Sequence, residues 1–180
     1  MKRDNFHIFT GGPGAGKTTL LEALAARGYA TVPEAARRVL KEQAASGGNA
    51  THDGDRSSYR DLILEYSLRD YHAVQETKAP VFFDRGIPEF SGYGNAPGAG
   101  DPPALTKAIA ECRYNPTVFL FPAWEAIYVH DELRKHSFEH AVMVYELTRD
   151  VYPRFGYRVI EVPCASVEER ARFVLDRIVR

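Results

Sequence analysis

The chain has 180 residues, of which 44% are hydrophobic and 26% are charged, and its formal net charge at pH 7 is −1. These values are ordinary for a globular protein with a full hydrophobic core, and they give no global basic field for nucleic acid or an anionic membrane. The N-terminus lacks the apolar region of a signal peptide, and no apolar run approaches the roughly 18 residues of a membrane span. Two cysteines without a CxxC spacing favour a reducing compartment, so we expect a cytoplasmic protein without nucleic-acid or membrane partners.

Strands and helices are predicted to alternate along the chain. Hydrophobic periodicity and glycine or proline stops predict strands at residues 6–10, 29–32, 79–83, 118–121 and 157–162. Helices are predicted at residues 17–27, 34–45, 56–77, 105–112 and 137–155, and after the S-x-x-E capping box at 166–169. This alternation indicates a single α/β domain over residues 1–180, with a parallel sheet covered by helices on both faces. Ligands bind such folds at the carboxyl ends of the strands, and each candidate functional segment follows a strand.

A glycine-rich loop follows the first predicted strand and opens a helix. GGPGAGKTT (residues 11–19) fits the pattern G-x-x-x-x-G-K-[ST], in which backbone N–H groups and the helix N-terminus converge on phosphate oxygens. The lysine of this pattern can reach the β- and γ-phosphates, and the hydroxyl of Thr18 can bind Mg²⁺. We therefore predict a nucleotide site that consists of Gly12, Pro13, Gly14, Ala15, Gly16, Lys17, Thr18 and Thr19.

The third strand ends in the sequence VFFDRG, in which an aspartate is followed directly by an arginine. Asp84 is a natural Walker B acid that holds Mg²⁺ directly or through water, although a strand-end aspartate can also cap the following turn. Arg85 either contacts a phosphate or is a solvated surface charge. Asp84 is thus a predicted metal ligand together with Thr18.

A second carboxylate, Glu34 in TVPEAARR, follows the second strand and is expected at the same edge of the sheet. It could accept a proton from an acceptor hydroxyl, and Arg37, one helical turn later, could hold that carboxylate or a substrate anion. Alternatively, Glu34 is a first-turn residue stabilised by the helix dipole. The sequence leaves open whether Glu34 or Asp84 is the base.

Three loops complete the predicted site. Residues 122–140 are expected to form a lid-like segment in which Arg134 closes over a γ-phosphate, unless that arginine belongs to a solvated basic helix end. Residues 91–104, rich in glycine and proline, are expected to form a flexible loop. In PCASVEER, Pro163 and Ser166 are candidate adenine contacts, although the segment can also be just a capped helix start.

The order of these segments resembles the single-domain P-loop proteins known as AAA-domain predicted ATPases, which are related to the ribosylnicotinamide kinase domain of NadR. The resemblance is carried by GGPGAGKTT, VPEAARRVL, VFFDRGIPEF, VFLFPAWEAIYVHDELR and YRVIEVPCASVEER, and it spans nearly the whole chain. It implies a nucleotide-kinase-like five-stranded parallel sheet with strand order 2-3-1-4-5, bound ATP and Mg²⁺, a lid with Arg134 and an adenine loop around Pro163 to Ser166. Nucleoside kinases of similar fold use a carboxylate after strand 2 and an acid–arginine pair after strand 3, and Glu34 and Asp84–Arg85 match these positions.

These features favour an ATP-dependent phosphotransferase that acts on a small hydroxyl-bearing molecule, with nucleoside-like compounds among the candidates. Its predicted catalytic residues are Lys17, Glu34, Asp84, Arg85 and Arg134. The alternatives are a plain ATPase and a nucleotide-dependent switch, driven by ATP or GTP, that binds a partner protein. The N-K-x-D guanine signature is absent from the sequence, which disfavours a Ras-like GTPase. A monomer and a homodimer are both compatible with the sequence.

Overall fold

The structure is a computed structural model that describes residues 3–128 and 137–178. The strands are β1 (Phe6–Gly11), β2 (Ala30–Val32), β3 (Val81–Asp84), β4 (Thr117–Phe121) and β5 (Arg158–Glu161). The helices are α1 (Lys17–Ala26), α2 (Ala35–Ser46), α3 (Arg56–Ala73), α4 (Pro103–Glu111), α5 (Phe138–Arg154) and α6 (Val167–Ile178). Short 3₁₀ helices follow β3 and β4, at Ile87–Phe90 and Glu125–Ile127.

The five strands form one parallel sheet in the order β2-β3-β1-β4-β5, which confirms the predicted fold class and strand order. In the register of this sheet, Phe9 of β1 lies opposite Asp84 of β3 and opposite Phe119 of β4. Because β1 is central and all strands run the same way, the segments that follow β1, β2 and β3 emerge at one edge.

The junction between α3 and β3 differs from the prediction. The helix was expected to run to Thr77, but it ends at Ala73, and β3 begins at Val81 and includes Asp84. The side chain of Asn5 donates hydrogen bonds to the carbonyls of Thr77 and Ala79. These carbonyls therefore bond to the chain just before β1 instead of continuing the helix, a tertiary contact that local periodicity does not reveal.

Apolar side chains cover both faces of the sheet. Along β1, Phe6 and Ile8 pack in one core cluster, which also holds Tyr71 of α3, while Phe9 packs in a second cluster with Leu20 of α1. A strand buried on both faces is expected in a parallel sheet with helices on either side. None of the helices in the described part of the chain is both long and apolar enough to span a bilayer.

Candidate functional site

The glycine-rich loop after β1 has a backbone conformation that favours glycine at two positions. Gly14 and Gly16 have φ angles of 75° and 79°, in the left-handed region that favours glycine. A Cβ atom at Gly14 would lie 2.5 Å from Cδ2 of Tyr128, so a larger residue is excluded by space as well as by conformation. Helix α1 begins at Lys17, and no side chain caps its N-terminus. The first N–H groups of α1 are thus suited to an anionic ligand.

Lys17 is buried inside this loop. Its Nζ donates hydrogen bonds to the carbonyls of Gly11, at 3.0 Å, and Gly12, at 2.8 Å. Burial lowers the pKa of Lys17 to about 8, although Asp84 and Glu34 act in the opposite direction. The ammonium group is therefore held where the loop turns around the start of α1.

Glu34 lies between two arginines at the carboxyl edge of the sheet. Its Oε1 accepts a hydrogen bond from Nε of Arg85, at 2.7 Å, and its Oε2 accepts one from Nε of Arg37, at 3.0 Å. Burial alone would raise the pKa of Glu34, but Arg85, Lys17 and Arg37 together lower it to about 2. This side chain is consequently a fixed carboxylate with low proton affinity.

Arg85 adopts an unusual backbone conformation to make this contact. Its φ angle is 74°, the only positive value at a non-glycine position within residues 3–128 and 137–178. An L-residue in this region carries a strain of about 1–2 kcal/mol. The side chain also donates from Nη1 to Oε2 of Glu89, at 3.2 Å. Arg85 thus bridges Glu34 after β2 and Glu89 in the following 3₁₀ helix.

Asp84 is the last residue of β3, and its side chain is buried. Its Oδ1 has no hydrogen-bond partner among the described residues. Burial raises the pKa of Asp84, while the positive charge of Lys17 acts to lower it. An uncompensated buried carboxylate oxygen is costly unless a cation or donor reaches it.

Asp84 and Thr18 line one cleft, which opens to solvent. Mg²⁺ in nucleotide sites takes one or two protein oxygens together with phosphates and water. Asp84 and Thr18 fit that requirement, and the absence of a cluster of three His, Cys, Asp or Glu side chains in the described residues does not conflict with it. The other residues of the cleft are Pro33, Glu34, Arg37, Arg38 and Lys41.

A family model described as "AAA domain" matches residues 6–170. The chain belongs to this AAA-domain family. The phosphate loop, Glu34 and the Asp84–Arg85 pair all lie inside the matched range. No curated protein matches the sequence significantly.

Solved structures of three small-molecule kinases have the same fold as this AAA-domain protein. A shikimate kinase from Acinetobacter baumannii in complex with shikimate is 13% identical, with a TM-score of 0.58, over 97% of this chain and 92% of that one. A thymidylate kinase from Ehrlichia chaffeensis is 18% identical, with a TM-score of 0.59, over 97% and 98% of the two chains. A gluconokinase from Sinorhizobium meliloti is 16% identical, with a TM-score of 0.54, over 100% and 94%. These identities are low, so the likeness is one of fold.

Glu89 is a site residue of this AAA-domain protein that sequence reasoning missed. Its side chain is only 5% exposed, and its Oε1 has no hydrogen-bond partner among the described residues. Burial raises the pKa of Glu89 to about 7, although Arg85 acts to lower it. The spacing of four residues between Arg85 and Glu89 could have indicated an ion pair. No helix is predicted from the sequence in this segment, however, so the spacing alone does not indicate that the two side chains meet.

Helix α6 contacts the phosphate loop through Arg170, which sequence reasoning also missed. Nη1 of this buried arginine donates to the carbonyl of Gly16 at 3.4 Å, and the guanidinium lies 5.6 Å from the centre of the Trp124 ring.

The predicted capping box is present, because Ser166 Oγ donates to Glu169 Oε2 at 2.6 Å and accepts from the N–H of Glu169 at 3.3 Å.

The other predicted contacts are Pro163, Ser166 and Arg134. Pro163 and Ser166 are exposed in the segment between β5 and α6. Arg134, the arginine of the lid-like segment 122–140, lies outside the described residues. The structure thus brings together Lys17, Glu34, Asp84 and Arg85 and adds Glu89 to them.

Proposed function

We propose that this protein is a Mg²⁺- and ATP-dependent phosphotransferase that acts on a hydroxyl group of a small molecule, with nucleoside-like molecules among the candidates. The observation that carries the proposal is that Glu34 and Asp84 line the same cleft as Thr18 of the phosphate loop. A hydrolase needs only water beside its nucleotide, whereas this cleft has an arginine-held carboxylate that can orient a second reactant.

The phosphate loop and Lys17 would hold the triphosphate of ATP. Lys17 would exchange the carbonyls of Gly11 and Gly12 for β- and γ-phosphate oxygens, and the N-terminus of α1 would add its positive dipole. Thr18 and Asp84 would hold Mg²⁺, which when bound neutralises charge on the phosphates. In this proposal, Arg134 closes over the γ-phosphate, and Pro163 and Ser166 contact the adenine.

Glu34 would orient the acceptor hydroxyl by accepting its hydrogen bond. The hydroxyl oxygen forms a bond to the γ-phosphorus, the bond from that phosphorus to the β-phosphate oxygen breaks, and ADP leaves. The proton of the hydroxyl passes to a carboxylate and then to solvent. Because phosphoryl transfer has a loose transition state with little proton transfer, a carboxylate of low pKa is adequate for this role. Asp84 is the alternative proton acceptor.

The comparisons support this proposal through chemistry of the same kind. The similar solved structures are kinases whose names refer to shikimate, thymidylate and gluconate, and one of them holds shikimate.

A nucleotide-dependent switch would instead need a loop whose conformation changes with the bound nucleotide. The segment 91–103 is hydrogen-bonded within itself, since Asp101 accepts from Ser91 and Gly92, and Asn95 of the segment accepts from Arg60 of α3.

The test is a screen of hydroxyl compounds with γ-labelled ATP and Mg²⁺, read by mass spectrometry of the products. We expect at least one compound to raise ADP formation and to gain one phosphoryl group. The control is Lys17→Ala, which should lose tight triphosphate binding and therefore all turnover. If water is the sole acceptor across nucleosides, sugars and hydroxy acids, the protein is an ATPase and the proposal is wrong.

A further inference from the structure

We propose that the phosphoryl acceptor carries an oxyanion group, a phosphate or a carboxylate, that binds to Arg37, Arg38 and Lys41 on α2. This inference rests on the proposed function, because it names the chemical class of the second reactant. It starts from the position of three cations in the cleft that also contains Thr18 and Asp84.

The three cations lie on one side of α2. Arg37 lies four residues and Arg38 three residues before Lys41, so both side chains are neighbours of Lys41 on the helix surface. All three line the cleft, and they follow Glu34 directly along the chain. The proposed hydroxyl-orienting carboxylate and the cations are therefore carried by the same segment. The triphosphate has its own partners in Lys17 and the start of α1.

Arg38 is held in place before any ligand binds. Its Nη2 donates to Oδ2 of Asp70 at 2.6 Å, and its guanidinium carbon lies 5.1 Å from the centre of the Tyr66 ring. The side chain is nevertheless 39% exposed, although its Nε is buried and has no hydrogen-bond partner within the described residues. A guanidinium that is already positioned and retains unused donors loses little freedom when it binds an oxyanion.

Arg37 and Lys41 also have unused hydrogen-bonding capacity. Arg37 bonds to Glu34 through Nε, and its side chain is 47% exposed. Lys41 is exposed and forms no ion pair or hydrogen bond with the described residues. Glu34, the N-cap residue of α2, forms no capping hydrogen bond, because its carboxylate accepts from Arg85 and Arg37 instead. Arg37 and Arg38 pair with Glu34 and Asp70 but stay partly exposed, and a neutral acceptor would leave Lys41 without a partner in the described part of the chain.

The direct test uses protein saturated with the ATP analogue AMP-PNP and Mg²⁺, so that the phosphate loop is occupied. The probes are inorganic phosphate, acetate as a carboxylate and glycerol as a neutral hydroxyl compound. Binding is followed by the ¹⁵N NMR signals of the arginine Nε–H groups. We expect saturable shifts with phosphate or acetate and none with glycerol, and the stronger of the two anions identifies the oxyanion.

The variants for this test are Arg38→Gln combined with Lys41→Gln, and Lys41→Gln alone. The double variant should weaken anion binding at least tenfold, and Lys41→Gln should weaken it several-fold without a risk to folding, because Lys41 has no partner in the described structure. The matched control combines Lys107→Gln with Arg149→Gln, which removes two exposed charges on α4 and α5 and should bind the anion normally.

The outcomes separate this inference from the proposed function. If AMP-PNP itself does not bind, the proposed function is wrong. If AMP-PNP binds but neither anion saturates, or if the Arg38/Lys41 and control variants weaken anion binding equally, the oxyanion inference alone is overturned.

A kinetic test uses matched acceptor pairs, such as a nucleoside and its 5′-monophosphate or a sugar alcohol and its sugar acid. The anionic member of the active pair should have the higher kcat/KM, and Lys41→Gln should raise its KM while leaving the KM of ATP unchanged. Equal turnover of the neutral member, with no effect of Lys41→Gln on either, would contradict the inference.

Discussion

Glu34 and Arg85 form an ion pair of 2.7 Å that joins the segments following two adjacent strands, β2 and β3. The two residues are 51 positions apart in the chain, and their side chains are only 15% and 18% exposed. The pair fixes one carboxylate oxygen of Glu34 and turns Arg85 away from bulk solvent. The pair therefore connects Glu34, which we propose to orient the acceptor, with the end of β3, where Asp84 is the proposed Mg²⁺ ligand.

The substitution Glu34→Gln should preserve ATP binding and remove phosphoryl transfer. The amide keeps the size of the side chain but loses the negative charge that Arg85 and Arg37 hold in place and that orients the hydroxyl, so we expect a loss of about 10²-fold in kcat. Calorimetric titration with ATP and a single-turnover assay measure the two effects. Glu65→Gln, at an exposed ion pair on α3, is the matched control and should change neither. If Glu34→Gln leaves transfer intact, Asp84 is the proton acceptor.

The substitution Asp84→Asn should stabilise the free protein and weaken Mg²⁺-dependent nucleotide binding. Its site raises the pKa of the carboxyl group, which means that burial there disfavours the charge, so a neutral amide should raise the free energy of unfolding by roughly 1 kcal/mol. Urea unfolding and ATP titrations with and without Mg²⁺ test this. Asp176→Asn, at an exposed position of α6, should alter neither quantity. A less stable Asp84→Asn variant with unchanged Mg²⁺ dependence would be the opposite result.

Two substitutions of Arg85 should separate backbone strain from the ion pairs. Arg85→Ala and Arg85→Gly both remove the contacts with Glu34 and Glu89, which we expect to cost about 3 kcal/mol. Glycine also relieves the positive φ, so Arg85→Gly should be the more stable of the two by about 0.5–1 kcal/mol after its greater unfolded-state entropy is included. Urea denaturation measures the difference. An Arg85→Gly variant that is less stable than Arg85→Ala would show that the strain is smaller than the entropic cost of glycine.

Glu89 should make the protein less stable as the pH rises from about 4.5 to about 7. In the unfolded chain its carboxyl loses the proton near the ordinary value of 4.5, whereas the folded pKa is about 7. The folded state therefore binds more protons in this window, and the free energy of unfolding falls with increasing pH by at most roughly 3 kcal/mol. Glu89→Gln removes the titrating group but keeps an acceptor for Arg85. The free energy of unfolding of this variant should therefore increase relative to that of the wild type as the pH rises from about 4.5 to about 7.

Urea unfolding at pH 5, 6 and 7 measures that difference. The control is Glu22→Gln, at an exposed position of α1, which should follow the wild-type profile. Parallel profiles for Glu89→Gln and the wild type would show that Glu89 titrates normally.

The phosphate loop and the sheet could be predicted from the sequence because their signals are local. The spacing of Gly11, Gly16, Lys17 and Thr18 defines the loop, and alternation of apolar segments with helical ones defines the parallel sheet. The position of Asp84 at the end of a strand followed from the same pattern. Whether these residues perform the predicted chemistry stays a prediction.

The remaining features of the cleft depend on tertiary contacts. The pairing of Glu34 with Arg85 requires β2 and β3 to be neighbours, and the positive φ of Arg85 has no sequence signature. Glu89 looks like an ordinary solvated acid in the sequence, and only its burial makes its pKa unusual. The contact of Arg170 with Gly16 joins residues 154 positions apart.

The glycines of the phosphate loop have neighbours from the C-terminal third of the chain. A Cβ atom at Gly12 would overlap the carbonyl of Ala141 in α5, Gly14 lies against the ring of Tyr128, and Gly16 lies against Arg170 of α6. The GGPGAGKTT motif is synthesised before the segments that surround its glycines. A nascent chain on the ribosome should thus be unable to bind ATP until α6 has left the exit tunnel.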